Sequence, residues 1–129
     1  MASGGEFSRL MLAIKYILAN KRALPTIVFD EIDTGISGEV SIKVGNMMRE
    51  MSKSHQIIAI THLHQIAAQG AVHYFVYKDH SSERTVSRIK ELSKDERIME
   101  IAQMIGGQNP SSAILDNARE ILEKHLQEQ

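Results

Sequence analysis

The sequence predicts an α/β domain with parallel core strands, a β-hairpin and flanking helices. Two short apolar runs of strand-forming residues, 26–29 and 56–61, alternate with segments of helical spacing. Strands separated by a helix pair in parallel through a right-handed crossover. Two later segments, 73–78 and 85–92, flank a polar stretch, which predicts the hairpin. We therefore expect residues 1–129 to form one unit.

The composition excludes several classes of protein. The chain has no Cys, which rules out a disulfide framework and thiolate metal sites. Its 15 Lys and Arg residues nearly balance 16 Asp and Glu residues, so a strongly basic nucleic-acid module is not expected. No apolar run approaches the roughly 20 residues that span a bilayer. We expect a cytoplasmic protein without membrane contact.

The first two helices enclose the first strand. Ser3 and Glu6 form a capping-box pattern for a helix that ends near Lys21. The run 26–29 is continuous and apolar, which is typical of a strand buried on both faces. Gly45 lies within the apolar stripe of the second helix and costs about 1 kcal/mol relative to Ala, so we expect it to permit a close packing contact.

The remaining elements follow in order. The second strand, 56–61, is also predicted to be buried, and a short helix over 63–69 follows it. After the hairpin, a capping box opens a helix at Ser93. The last helix is predicted to begin with Asn109 as N-cap and Pro110 as its first residue.

Polar residues stand where both core strands end, and parallel sheets bind ligands beyond the carboxyl ends of their strands. Asp30 can hold Mg²⁺, most simply through water, and Glu31 can orient or deprotonate an attacking water. His62 can contact a terminal phosphate or that water. An acidic, solvated turn and a structural histidine are the alternatives that these residue types leave open.

The start of the first helix offers a second candidate site. Unsatisfied N–H groups and the positive end of the helix dipole favour anions there, and Gly4 and Gly5 allow close approach of a phosphate. Ser3 can add a hydroxyl donor. The alternative is a plain capped helix start, since capping boxes are common.

A metal site is a further alternative. His62 and His64 would share one face if the chain stayed extended, and either His73 or Asp30 and Asp33 would supply the further ligands of a small metalloenzyme. We expect the short helix to begin near residue 63 and to separate the two histidines.

The order of these motifs resembles that in the head of ABC-type ATPases. Their residues are similar to those of SMC-like ATPases of bacterial DNA repair. The stretches 2–9, 29–38 and 60–68 match the signature motif, the Walker B motif with its D-loop, and the switch-histidine segment. The resemblance covers essentially the whole chain. Phe7 and His64 depart from the family pattern, which has Leu and Pro there.

The resemblance implies a role for each matching residue. Asp30 would be the Walker B aspartate near Mg²⁺, Glu31 the catalytic carboxylate and His62 the switch histidine. Asp33 to Ser37 would be the D-loop at an interface between two heads. Four residues of the signature motif would bind an ATP held by the partner head: Ser3, Gly4, Gly5 and Glu6.

The sequence contains no G-x-x-x-x-G-K-[ST] motif, so it has no phosphate-cradling P-loop. The resemblance then implies the C-terminal lobe of a head, whose partners are the P-loop lobe, a second head and, through the full-length protein, DNA. We expect the full-length protein to use ATP and Mg²⁺ in double-strand break repair on the nucleoid. We expect the chain alone not to hydrolyse ATP. The remaining alternative is a nucleotide-independent interaction module.

Overall fold

The computed structural model describes residues 4–21, 24–30 and 38–128, with side chains in the first helix from Leu10 to Leu18. The elements are α1 (Gly4–Lys21), β1 (Thr26–Asp30), α2 (Gly38–Met51), β2 (Gln56–Ile60), α3 (His64–Ala67), β3 (Tyr74–Asp79), β4 (Val86–Glu91), α4 (Lys94–Gly106) and α5 (Ser112–Gln127). They form two compact units, residues 1–69 and 70–129. This order confirms the predicted α/β class with its parallel strands and hairpin.

The first unit is built on the parallel pair of β1 and β2. Thr26 lies opposite Gln56, and the register continues to Asp30 opposite Ile60. Ile27 and Phe29 point to one face and are buried in a cluster with residues of α1, α2 and α3. Other members of this core are Leu12, Val44, Met48, Met51 and Ile66.

The other face of this sheet is exposed, which corrects the prediction of two fully buried strands. Val28 and Ile58 lie side by side and are each 45% exposed, and Ile60 is 51% exposed. The apolar sequence of both strands is the pattern of a sheet covered on both faces. In the described part of the chain, only one face has a covering layer.

Gly45 has the close contact that its position predicts. A Cβ atom at this site would overlap the amide nitrogen of Gln69 and lie 3.0 Å from its Cδ atom. The side chain of Gln69 is buried, and its Nε2 donates to the carbonyl oxygen of Ile42 at 3.3 Å. The glycine therefore makes room for a buried polar contact between α2 and the chain that follows α3.

Replacing Gly45 by Ala is expected to destabilise the protein. Ala is about 1 kcal/mol better than Gly in a helix, but the new methyl group must displace the buried Gln69 amide, and overpacking costs typically about 1–3 kcal/mol. Urea denaturation should show a lower free energy of unfolding for Gly45→Ala. Asn46→Ala, at an exposed neighbouring position of α2, is the control and should be neutral or stabilising. A more stable Gly45→Ala variant would contradict the contact.

The second unit contains the hairpin of β3 and β4 and the helix pair of α4 and α5. Tyr74 pairs with Glu91 at one end of the hairpin and Asp79 with Val86 at the other. Ser93 caps α4 in the predicted capping box, because its hydroxyl accepts from the Glu96 N–H while the Glu96 carboxylate accepts from the Ser93 N–H. Five apolar side chains of the helix pair are buried completely or nearly so: Ile98, Ile101, Ala102, Ala118 and Leu122.

The start of α5 differs from the prediction by two residues. Ser111, not Asn109, is the N-cap, because the Ser111 hydroxyl accepts from the Ile114 N–H at 3.3 Å. Pro110 therefore precedes the helix and does not open it. Gly107 ends α4 with φ = 86°, a conformation that favours glycine. None of the helices within the described residues is long and apolar enough to cross a membrane.

Candidate functional site

The parallel register brings the two polar strand ends together. Asp30 is the last residue of β1 and pairs with Ile60, the last residue of β2. Thr61 and His62 follow Ile60 directly, so they leave the sheet at the edge where Asp30 stands. This pairing places the carboxyl ends of β1 and β2 at one edge of the sheet, as expected for parallel strands.

The Asp30 carboxylate fits a role near Mg²⁺. It is exposed at the end of β1 and has no hydrogen bond or salt bridge to another described residue. Mg²⁺ retains much of its hydration shell and is commonly held by one or two carboxylates together with substrate phosphates. An accessible carboxylate at a strand end is suited to such binding through water.

A short turn holds His62 beyond β2. The Leu63 N–H donates to Thr61 Oγ1 at 3.0 Å. This side-chain hydrogen bond stabilises a turn between β2 and α3. His62 is exposed within this turn, and His64 is the first residue of α3. His64 is half-buried, and this burial lowers the pKa of its imidazole.

The turn argues against the histidine metal site. Because β2 ends at Ile60 and α3 begins at His64, the two histidines do not belong to one strand and their side chains do not share a strand face. His73 belongs to the second unit, where burial and, to a lesser extent, the Arg97 guanidinium lower its pKa. No group of three or more potential metal-binding side chains occurs among the residues that the structure describes.

Helix α1 carries the candidate phosphate-binding glycines and is fastened to β1. Gly4 and Gly5 are its first residues, as the sequence predicts for an anion site at a helix start. Lys15, farther along α1, donates from Nζ to the Val28 carbonyl oxygen at 2.6 Å and lies 5.1 Å from the centre of the Phe29 ring. Lys15 therefore links the helix that begins with the glycines to the strand that ends at Asp30.

Several predicted site residues lie outside the described part of the structure. They are Ser3, Glu31, Asp33 and Ser37, and the side chain of Glu6 also lies outside it. Their roles remain predictions from the sequence.

Sequence reasoning missed two side chains near the site, Lys15 and Gln65. The position of Lys15 between apolar residues of α1 could have indicated this contact, because the aliphatic part of a lysine can lie along an apolar face. Gln65 lies in α3, where it reaches Gly38 at the start of α2: a Cβ atom on that glycine would be 3.3 Å from Gln65 Nε2. A polar residue three positions after His62 gives no such signal by itself.

Comparison with solved structures defines the class of the fold. The chain superposes on an SMC ATPase from work on ATP-driven dimerization and DNA-stimulated activation of SMC ATPases, with a TM-score of 0.68 and 24% identity. The match covers 84% of this chain and 65% of that one. The chain therefore shares its fold with a large part of that SMC ATPase.

Comparison with curated sequences is more specific. The chain is 40% identical over 124 residues to the DNA repair protein RecN of Bacillus subtilis, and 45% identical over 122 residues to RecN of Deinococcus radiodurans. These matches cover 96% and 95% of this chain but only 22% and 21% of the relatives. The chain is thus homologous to RecN over a segment that is about one fifth of those proteins. No family model matches it.

These relatives favour one of the alternatives that the sequence left open. The homology to RecN over 96% and 95% of the chain favours a RecN-like segment, and the nucleotide-independent interaction module is not favoured.

Proposed function

We propose that this chain is the C-terminal lobe of the ATPase head of a RecN-like protein that acts in DNA double-strand break repair. The observation that carries the proposal is the pairing of Asp30 with Ile60, which brings the Walker B-like strand end and the His62 turn to one sheet edge. The homology to RecN and the SMC ATPase fold support it.

The exposed face of the sheet supports the proposal that a second lobe covers it in the full-length protein. Val28, Ile58 and Ile60 present aliphatic side chains to solvent on adjacent parallel strands. All-parallel sheets are covered on both faces, and a pair of strands is too small to be stable by itself. The P-loop lobe of the full-length protein, which this chain does not include, is the partner that we expect to cover this face and extend the sheet.

In the assembled head, some residues of this chain act on the ATP of their own head and others act on the ATP of the partner head. Asp30 holds Mg²⁺ through water, and Glu31 orients the attacking water and takes its proton. His62 contacts the terminal phosphate. The signature residues act on the ATP of the partner head: Ser3, Gly4, Gly5 and Glu6, with Asp33 to Ser37 along the interface.

ATP binding joins two heads in this proposal, and hydrolysis separates them. The reaction thereby changes how the full-length protein engages DNA in the cytoplasm, on the nucleoid. When bound, Mg²⁺ would supply neutralisation of the phosphate charge, as in other phosphoryl-transfer enzymes. No basic groove in this chain is required, because the DNA contacts belong to the full-length protein.

The chain alone is expected not to bind ATP tightly. Without a P-loop, it lacks the backbone cradle and lysine that hold the phosphates of a nucleotide in the same head. Isothermal titration calorimetry with ATP and Mg²⁺ should give no saturable heat in the micromolar range. The full-length protein, which contains both lobes, is the positive control. Micromolar binding by the chain alone would contradict the division of the head into two lobes.

A further inference from the structure

The segment that follows His62 contacts the start and the middle of α2 through two glutamines. A Cβ atom on Gly38, the first residue of α2, would lie 3.3 Å from Gln65 Nε2. Gln69 reaches the middle of the helix, where its Nε2 donates to the Ile42 carbonyl oxygen at 3.3 Å. These contacts fix α3 against α2 at two levels.

The carboxamide oxygen of Gln65 lacks a donor. Oε1 is buried and has no hydrogen-bond partner among the residues that the structure describes. Buried acceptors are normally satisfied, because an unmade hydrogen bond leaves the cost of desolvation uncompensated. The first N–H groups of a helix have the opposite need, since no acceptor exists for them within the helix.

Rotation of the Gln65 carboxamide can turn its acceptor oxygen toward the start of α2. The Gln65 carboxamide has its acceptor and its donor on one planar group, and half a turn about the last side-chain torsion exchanges them. The oxygen then takes the position that the nitrogen occupies, 3.3 Å from a Cβ atom built on Gly38, the first residue of α2.

This contact lies between the two helices that follow the candidate site segments. Helix α2 begins immediately after the segment that contains Glu31 and Asp33, and α3 begins two residues after His62. Gln65 therefore joins the two helices that follow the two candidate site segments. The pairing of Asp30 with Ile60 joins the two strands that precede the same segments.

We propose that Gln65 is a positioning residue, whose carboxamide oxygen accepts a hydrogen bond from the first turn of α2 and so fixes the start of α2 relative to His62. This inference rests on the proposed ATPase function, because a fixed alignment matters only if both segments serve one nucleotide site. Gln65 acts through other residues and does not touch the nucleotide.

The test uses Gln65→Met in the full-length protein, because Met has a similar length and no hydrogen-bonding amide. Hydrogen–deuterium exchange at residues 38–41 should become about tenfold faster. The kcat for ATP hydrolysis should fall about tenfold while KM stays within about twofold, since misplaced catalytic groups slow the chemical step. Gln65→Glu has an oxygen at both terminal positions and should restore both values.

Gln108→Met is the matched control, because Gln108 is exposed in the turn between α4 and α5. Unchanged exchange at residues 38–41 in Gln65→Met would overturn the hydrogen bond. Faster exchange with unchanged kcat, or no rescue by Gln65→Glu, would overturn the positioning role. A wild-type protein without ATPase activity would contradict the proposed function itself, and the exchange data would still report on the bond to α2.

Discussion

Glu31→Gln in the full-length protein is expected to abolish nearly all ATP hydrolysis while ATP still binds. Gln has the size of Glu but cannot take a proton from water, and general-base catalysis contributes about 10²–10⁴-fold to a rate. The kcat for phosphate release should therefore fall by about this factor. Equilibrium ATP binding should remain within a few-fold of the wild-type value, because the P-loop and Mg²⁺ contacts are unchanged.

Glu50→Gln is the matched control for this experiment. Glu50 is an exposed residue of α2, where its carboxylate pairs with Lys53 at 3.0 Å on the helix surface. Exposed pairs of this kind contribute little, so the control should retain wild-type turnover and stability. Wild-type turnover by Glu31→Gln would reject Glu31 as the base. Loss of ATP binding would show that this residue serves binding more than catalysis.

The largest effect on stability is expected for Phe29→Ala in the chain itself. Phe29 is 0% exposed in the core of the first unit, and truncation of a buried Phe typically costs about 3–5 kcal/mol. The variant also loses the ring beneath the Lys15 ammonium, a contact that adds a smaller amount. Urea denaturation followed by circular dichroism should show a free energy of unfolding lower by about this amount.

Val28→Ala is the control in the same strand. Val28 points to the open face and is 45% exposed, so its truncation should cost the isolated chain much less. Equal losses for the two variants would mean that the open face is covered in solution. In the full-length protein, by contrast, Val28→Ala should become costly if the P-loop lobe packs on this face.

The sequence was sufficient for the order of elements because local signals agree with one another along the chain. The capping box at Ser93 and the alternation of the hairpin identify their elements without tertiary information. The start of α5 was misplaced because Asn109 and Ser111 are both good N-caps. Only the hydrogen bond from the Ile114 N–H to the Ser111 hydroxyl distinguishes them.

The site was predictable to the level of strand ends and no further. Apolar runs that finish in Asp30 and Thr61 place polar groups at one sheet edge as soon as the strands pair in parallel. The exposure of Val28 and Ile60 was not predictable, because a continuous apolar run is the pattern of a strand covered on both faces, and the described residues cover only one face of this sheet. The contact of Gln65 with Gly38 depends on the approach of two helices, which no local pattern encodes.

The Lys15 contact also affects how the chain behaves when it is separated from its partners. Pro25 O accepts from the Gln56 N–H, so alternation along β1 turns the Val28 carbonyl toward the opposite edge, where Lys15 binds it. A lysine on an outer edge discourages the addition of another strand. Self-association and aggregation of the isolated chain should therefore proceed through β2, whose outer edge has no strand partner in the described residues and which exposes Ile58, Ala59 and Ile60.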